Sequence, residues 1–142
     1  MKTAYKILTI VALTAFFASC THNNGDIGPW FGTWHVETIE TDGMVRSDYS
    51  GGYFFQFQST VFCVRYSDEV RNEYQESFGR WSEDANMLTI TFPDPAVAYL
   101  DFSAVLDKDN HFAVVERGNK RMVLTRTDVA GHSHRLTLKK IP

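Results

Sequence analysis

The chain is poor in the features that would place it quickly. Its 142 residues include two cysteines, Cys20 and Cys63, which is too few for the disulfide framework of a small secreted scaffold. Four prolines exclude a polyproline or low-complexity class. The longest apolar run, Ile7 to Ala18, is 12 residues, short of the about 20 a membrane-spanning helix needs. Basic clusters are missing as well: 14 Lys and Arg stand against 17 Asp and Glu, a net charge of −3. Such a chain is a poor partner for nucleic acid, whose phosphates demand grouped cations. No Gly-x-Ser-x-Gly elbow, His-Glu-x-x-His pair or phosphate-binding glycine loop occurs. The expectation is a protein without enzymatic activity and without a cofactor.

What is present begins with an address. Met1 to Lys6 carries two lysines and no acid, and the 12-residue apolar run follows. A charged start and a short apolar centre make a secretory leader. Phe17-Ala18-Ser19-Cys20 then resembles the lipobox of bacterial lipoproteins: a large apolar residue, two small ones and a cysteine. The resemblance implies that the Cys20 thiol is alkylated with diacylglycerol, that residues 1–19 are removed, and that the new amine is acylated. Two or more acyl chains hold a protein stably, since each buried methylene contributes about 0.8 kcal/mol. In the enteric sorting pattern, Asp after the cysteine retains a lipoprotein in the inner membrane. Thr21 stands there instead, which implies the outer membrane, with its face left open. Thr21 to Gly28 (THNNGDIG) reads as a flexible tether.

The division is thus a leader at 1–19, a tether at 20–29 and a folded part at 30–142. Loss of Lys2 and Lys6 with the leader leaves 12 basic residues against 17 acidic ones, a net −5. With Cys20 acylated, Cys63 has no intramolecular partner. Its setting in Val61-Phe62-Cys63-Val64 reads as that of a small buried hydrophobe.

The folded part reads as β structure. Aromatic residues make up 14% of the chain, which favours strands. Helical periodicity is weak, and short alternating runs recur between turn residues. The pattern predicts strands over Trp34–Thr41, Tyr53–Gln58, Val61–Tyr66, Glu73–Trp81, Met87–Phe92, Tyr99–Leu106, His111–Arg117, Lys120–Thr127 and His132–Ile141. Asp68 to Tyr74 reads as a long loop or one helical turn. Asp107 to Asn110 lacks the Gly and distal Glu of a calcium loop and reads as a hairpin turn. Short loops between antiparallel strands are hairpins. The expected fold is all-β: an antiparallel up-and-down meander closed into a small barrel of about 8–9 strands. Closure removes the edges an open sheet would expose.

Several segments carry a family resemblance. Gly32-Thr33-Trp34 looks like the Gly-x-Trp motif that opens lipocalin-type barrels. Gly79-Arg80-Trp81, a polar turn and Leu88-Thr89-Ile90-Thr91-Phe92 are similar to a repetition in bacterial lipocalin-like lipoproteins. His134 to Lys140 resembles their closing strand. The resemblance covers most of residues 30–142 and implies a lipocalin-like barrel. It also implies that Trp34 packs under the closed end against a last-strand Arg, for which Arg135 is the candidate.

Candidate site residues follow from the faces. Trp34, Phe55, Phe57, Phe78, Leu88, Ile90, Phe92 and Leu124 are candidates for ligand lining or core. His132 and His134, two apart on a strand, share a face and could begin a metal site, which would still need a third ligand. Alternation along Tyr74, Glu76, Phe78 and Arg80 would put both charges on an aromatic inner face. A bulge at Gly79 would instead turn Arg80 outward, into an exposed cross-strand ion pair. Two functions stay open: binding of a small apolar or amphipathic ligand, and docking to an envelope protein through aromatics on the outer face, where Phe54 backs Phe55. The expected partners are the membrane through Cys20, a small hydrophobic ligand or an envelope protein, and no nucleic acid.

Overall fold

The computed structural model describes residues 28–68, 72–93 and 106–142. Nine strands occur among them: β1 (Gly32–Thr41), β2 (Met44–Val45), β3 (Tyr53–Gln58), β4 (Val61–Asp68), β5 (Glu73–Asp84), β6 (Met87–Thr91), β7 (Asp109–Arg117), β8 (Arg121–Thr127) and β9 (Ser133–Lys140). All pairings are antiparallel, in the order β2-β1-β3-β4-β5-β6-β7-β8-β9, and β9 returns to pair with β1. Eight strands therefore close an up-and-down barrel, with β2 as a short extra strand. No helix occurs among the described residues.

The local chemistry explains the turns. Asp42 and Gly43 both adopt positive φ, at 52° and 83°, between the paired Thr41 and Met44. A two-residue hairpin turn of that hand matches the strand twist, and Asp-Gly is its favoured sequence. Register slips once on β1, between Val36 and Thr38, and once on β7, between Val114 and Glu116. The extra residues, Glu37 and Val115, are pushed outward at these bulges.

Inward residues alternate as a closed sheet requires. Trp34, Phe55, Phe57, Phe62, Phe112, Ile39, Leu88, Ile90, Met122, Leu124, Leu136 and Leu138 are all less than 2% exposed. Side chains so sealed line no water-sized void, so the core that these described residues form is closely packed. Edge-to-face contacts knit it: Phe55 on Phe62 at 5.2 Å, Phe57 on Phe62 at 5.1 Å and Phe57 on Trp81 at 5.2 Å. Burying one such ring stabilises the fold by roughly 4–6 kcal/mol at about 25 cal/mol per Å² of apolar surface.

Of three further expectations, one falls outside the described residues and two need correcting. The strand expected at Tyr99–Leu106 falls on residues outside the described set, apart from Leu106, which is buried but lies on no strand. Among the described strands, β6 pairs directly with β7. The ninth strand is β2, too short to show as a periodicity. The loop expected at Asp68–Tyr74 is shorter than that, since β4 reaches Asp68 and β5 begins at Glu73. Asp107–Asn110 is not a hairpin turn: β7 already starts at Asp109 and pairs with β6.

Candidate functional site

The turns divide into two ends. At one lie the start of β1, the β3–β4, β5–β6 and β7–β8 turns and the end of β9. At the other lie the β1–β2 hairpin, the loop to β3, the start of β7 and the β8–β9 turn. The first is closed by tryptophan. Trp34 donates from Nε1 to the Trp30 carbonyl at 2.8 Å, and Trp30 lies on Phe57 and Trp81 with centroids 5.1 and 6.3 Å apart. The Trp30 indole N–H donates to the Glu83 carboxylate, which also pairs with Arg117. Arg117 sits 6.0 Å from the Trp30 ring centroid, so charge, ring and carboxylate form one cap.

A depression of about 480 Å³ opens beside this cap, lined by Pro29, Trp30, Thr60, Trp81, Glu83 and Arg117 among others. Among the described residues the Trp81 Nε1, sealed from solvent, is a buried donor without a partner. A second open crevice, of about 380 Å³, lies on the wall where β6 leaves β5, lined by Val61, Phe78, Gly79, Arg80, Thr91, Phe92 and Pro93. Ligand sites commonly measure about 300–1,000 Å³ and combine apolar walls with few polar groups.

The opposite end holds polar side chains on inward positions. Arg126 follows Met122 and Leu124 on the inner face of β8 and is 4% exposed. Its guanidinium donates to Asp107 Oδ2 at 2.5 Å and to Asn110 Oδ1 at 3.2 Å. Asn110, fully buried, donates on to the Ile90 and Asp107 carbonyls. Burial lowers the Arg126 pKa, while Asp107 and Asp128 oppose the fall. His134 is buried and bonds Asp128 at 2.9 Å through Nε2 and Thr41 at 2.9 Å through Nδ1. His132 is exposed and bonds Asp42 at 2.7 Å, which raises its pKa. The Ser133 N–H and His132 in turn hold the Asp42 carboxyl below its usual range.

The candidates from sequence distribute clearly. Trp34, Phe55, Phe57, Leu88, Ile90, Phe92 and Leu124 are buried in one core cluster. Phe78 is not: it is 58% exposed on the outer face. The assignment of Phe78 to the interior is corrected by register. The β4–β5 ladder runs unbroken from Asp68↔Glu73 to Val61↔Arg80, so Ser77, Gly79 and Trp81 point inward and Tyr74, Glu76, Phe78 and Arg80 outward. Arg80 faces solvent by simple alternation, with no bulge at Gly79. Glu76 does form an exposed cross-strand ion pair, with Arg65 at 2.9 Å.

His132 and His134 do not converge, because each imidazole is held by its own carboxylate. Among the described residues, no group of three or more His, Cys, Asp or Glu could hold a metal ion. Arg135 points outward to Glu40 at 3.5 Å; the cation on the Trp34 ring is Lys140, 5.4 Å from its centroid. Parity gives the reason, since Lys140 shares the face of Leu136 and Leu138 and Arg135 does not. Cys63 is buried, and desolvation pushes its thiol up to about 11, so it is an unreactive group. Cys20 lies outside the described residues.

The single closed antiparallel barrel with a Gly-x-Trp start and a tryptophan-capped end defines a lipocalin-like barrel. The chain belongs to the lipocalin-like domain family, which matches residues 14–141. Its fold is similar to that of a lipocalin-like protein from Bacteroides uniformis, with a TM-score of 0.65 and 16% identity over 80% of this chain and 100% of that one. A second similar structure is an uncharacterized protein from Bacteroides eggerthii, at 0.62 and 20% over 79% and 99%. No curated protein matches the chain.

Proposed function

We propose that this chain is a lipid-anchored cell-envelope protein that binds a small apolar or amphipathic molecule without transforming it. Cys20 carries the acyl chains, and Thr21 directs the protein to the outer membrane. The observation that supports binding is the depression beside Trp30 and Trp81. Its volume of about 480 Å³ is that of a ligand site, and its lining joins Trp30 and Trp81 to the Glu83–Arg117 pair. An apolar body would lie beside Trp30 and Trp81, and a polar group would meet the Glu83–Arg117 pair. Because the barrel's middle is packed, the ligand is held at the barrel's end rather than in its centre.

Native mass spectrometry of protein from its own host, followed by organic extraction, tests the reading. A co-purifying small molecule, lost on Trp30→Ala, is the expected result. Recovery of none, together with a protein captured in pull-down, would replace it with the second reading, docking to another envelope protein. That alternative draws support from the filled interior and from Tyr74 and Phe78, which are 62% and 58% exposed on one outer face. The anchor is tested separately: acyl labelling should vanish in Cys20→Ser.

A further inference from the structure

Among the described residues, charge divides the barrel by its ends. Around the tryptophan-capped end stand Arg117, Lys120, Arg121, Lys139 and Lys140 against Glu83, Asp84 and Glu116, five cations to three carboxylates. Among the described residues Lys120 and Lys139 are exposed and in no ion pair. At the other end, Arg46, Lys108 and Arg126 stand against Asp42, Asp48, Glu73, Asp107, Asp109 and Asp128, three to six. Apolar side chains are exposed at both ends: Phe31 (43%), Met87 (43%), Val115 (52%) and Ile141 (38%) at the capped end, Met44 (74%), Val45 (63%) and Val129 (97%) at the other. The second group sits among Asp42, Asp48 and Asp128, which an anionic surface repels. The first group sits among unpaired lysines, which it attracts.

The position of the tether agrees. The described chain begins at Gly28, at the capped end. From Cys20 to Gly28 the chain spans at most about 28 Å when fully extended. A ten-residue strand tilted at about 40° rises roughly 25 Å. The capped end can therefore meet a bilayer at any tether extension. The acidic end could do so only with the tether stretched back along nearly the whole barrel wall, at a large loss of chain entropy.

We infer that the tryptophan-capped end is a docking surface for an anionic bilayer, with Lys120 and Lys139 at the lipid phosphates and Phe31, Val115 and Ile141 at headgroup depth. This rests on the anchor at Cys20, and it turns the Trp30–Trp81 depression toward the membrane.

The test uses the acylated protein in phosphatidylethanolamine vesicles with and without about one quarter phosphatidylglycerol. Dye is attached in Val115→Cys or in Val129→Cys; Cys63 stays unlabelled because it is buried. Spin-labelled lipid should quench the Val115 dye more strongly than the Val129 dye. The difference should grow with phosphatidylglycerol and shrink with added salt. Lys120→Gln and Lys139→Gln should each weaken capped-end contact about fivefold, and Lys108→Gln at the acidic end should not. Equal quenching at both positions, stronger quenching at Val129, or no effect of the two lysines overturns the inference while leaving the anchor standing. Intact mass without acyl chains overturns the anchor and the inference together.

Discussion

Gly79 is where the barrel leaves least room for change. It faces inward on β5, opposite Phe62 on β4. A Cβ built there would lie 2.3 Å from the Thr91 carbonyl oxygen and 3.0 Å from Phe92 Cδ1. Real Cβ atoms essentially never approach closer than 3.0 Å, so β6 would have to retreat by at least 0.7 Å, the difference between 3.0 and 2.3 Å. The obstacle is backbone, which cannot swing aside. The missing side chain is also the gap across which Phe92 reaches Phe62, with centroids 5.9 Å apart. Gly79→Ala should therefore overpack the site, which costs about 1–3 kcal/mol. Loosening the neighbouring Arg80–Thr91 ladder pair should add about 1 kcal/mol. A total of about 2–4 kcal/mol corresponds to a drop of roughly 8–16 °C in Tm for a domain of this size. Urea melts should show a lower midpoint with an unchanged slope, because the surface exposed on unfolding is the same. Phe78→Ala, one residue away but outward, should stay within about 1 kcal/mol. A Gly79→Ala midpoint within about 0.5 kcal/mol of the parent would refute the close approach of β5 and β6.

Other expectations follow from the same geometry. Trp30→Phe keeps most of the apolar cap but leaves Glu83 without its indole donor, and should cost about 1–2 kcal/mol in chemical melts. Trp30→Ala should cost about 3–5 kcal/mol, and a Trp30→Phe protein as stable as the parent would show that the N–H contributes nothing. The Asp42–His132 contact should depend on pH with a definite sign. His132 has a raised pKa in the folded state, so its contribution is complete below the usual 6.5 and is lost as pH rises through the folded value. Asp42 is shifted down, so its contribution is present above 3.8 and is lost as pH falls through its folded value. Protection of the Ser133 amide, relative to its intrinsic exchange rate, should be greatest between the two and fall above neutrality, and a His132→Asn protein with the same pH profile of protection would exclude the imidazole as the cause. Finally, Cys63 should resist a thiol reagent at pH 8 until the fold is melted; full reaction within minutes in native protein would contradict its burial.

Much of the barrel could be read from residues because alternation with a buried face fixes parity. Tyr53-Phe54-Phe55-Gln56-Phe57 and Leu88-Thr89-Ile90 each have one dominantly apolar face, and a one-residue slip would expose it. β5 could not be read that way. Its inward positions are Ser77, Gly79 and Trp81, two of them small, while Tyr74 and Phe78 lie outside. The small residues are there because β6 and Phe92 come close, a tertiary fact with no local signal. The closed end was half legible. The Gly-x-Trp start marked Trp34, but Trp30 precedes the first strand and its partners, Glu83 and Arg117, lie on two distant strands. Arg126 and Lys140 did carry a signal: each continues the inner parity of its strand, after Leu124 and after Leu138. A charge at an inward position is more telling than an exposed one, because burial must be repaid by partners.

The packed interior also decides how a small molecule could be held. Taking a ligand into the centre would require moving rings such as Phe55, Phe57 and Phe62, which are 1%, 0% and 0% exposed and touch one another. Opening space for even part of such a ring forfeits contacts that cost about 3–5 kcal/mol when a phenylalanine is truncated in a core. A ligand would have to recover that before showing any affinity. The depression by Trp30 and Trp81 imposes no such cost, since the space already exists. If that end also faces the lipid surface, an amphipathic molecule would meet the site at membrane depth rather than from bulk water. Under that proposal core and surface have separate duties: the aromatic centre would supply rigidity, and the capped end, set by the tether and the lysines, would supply contact.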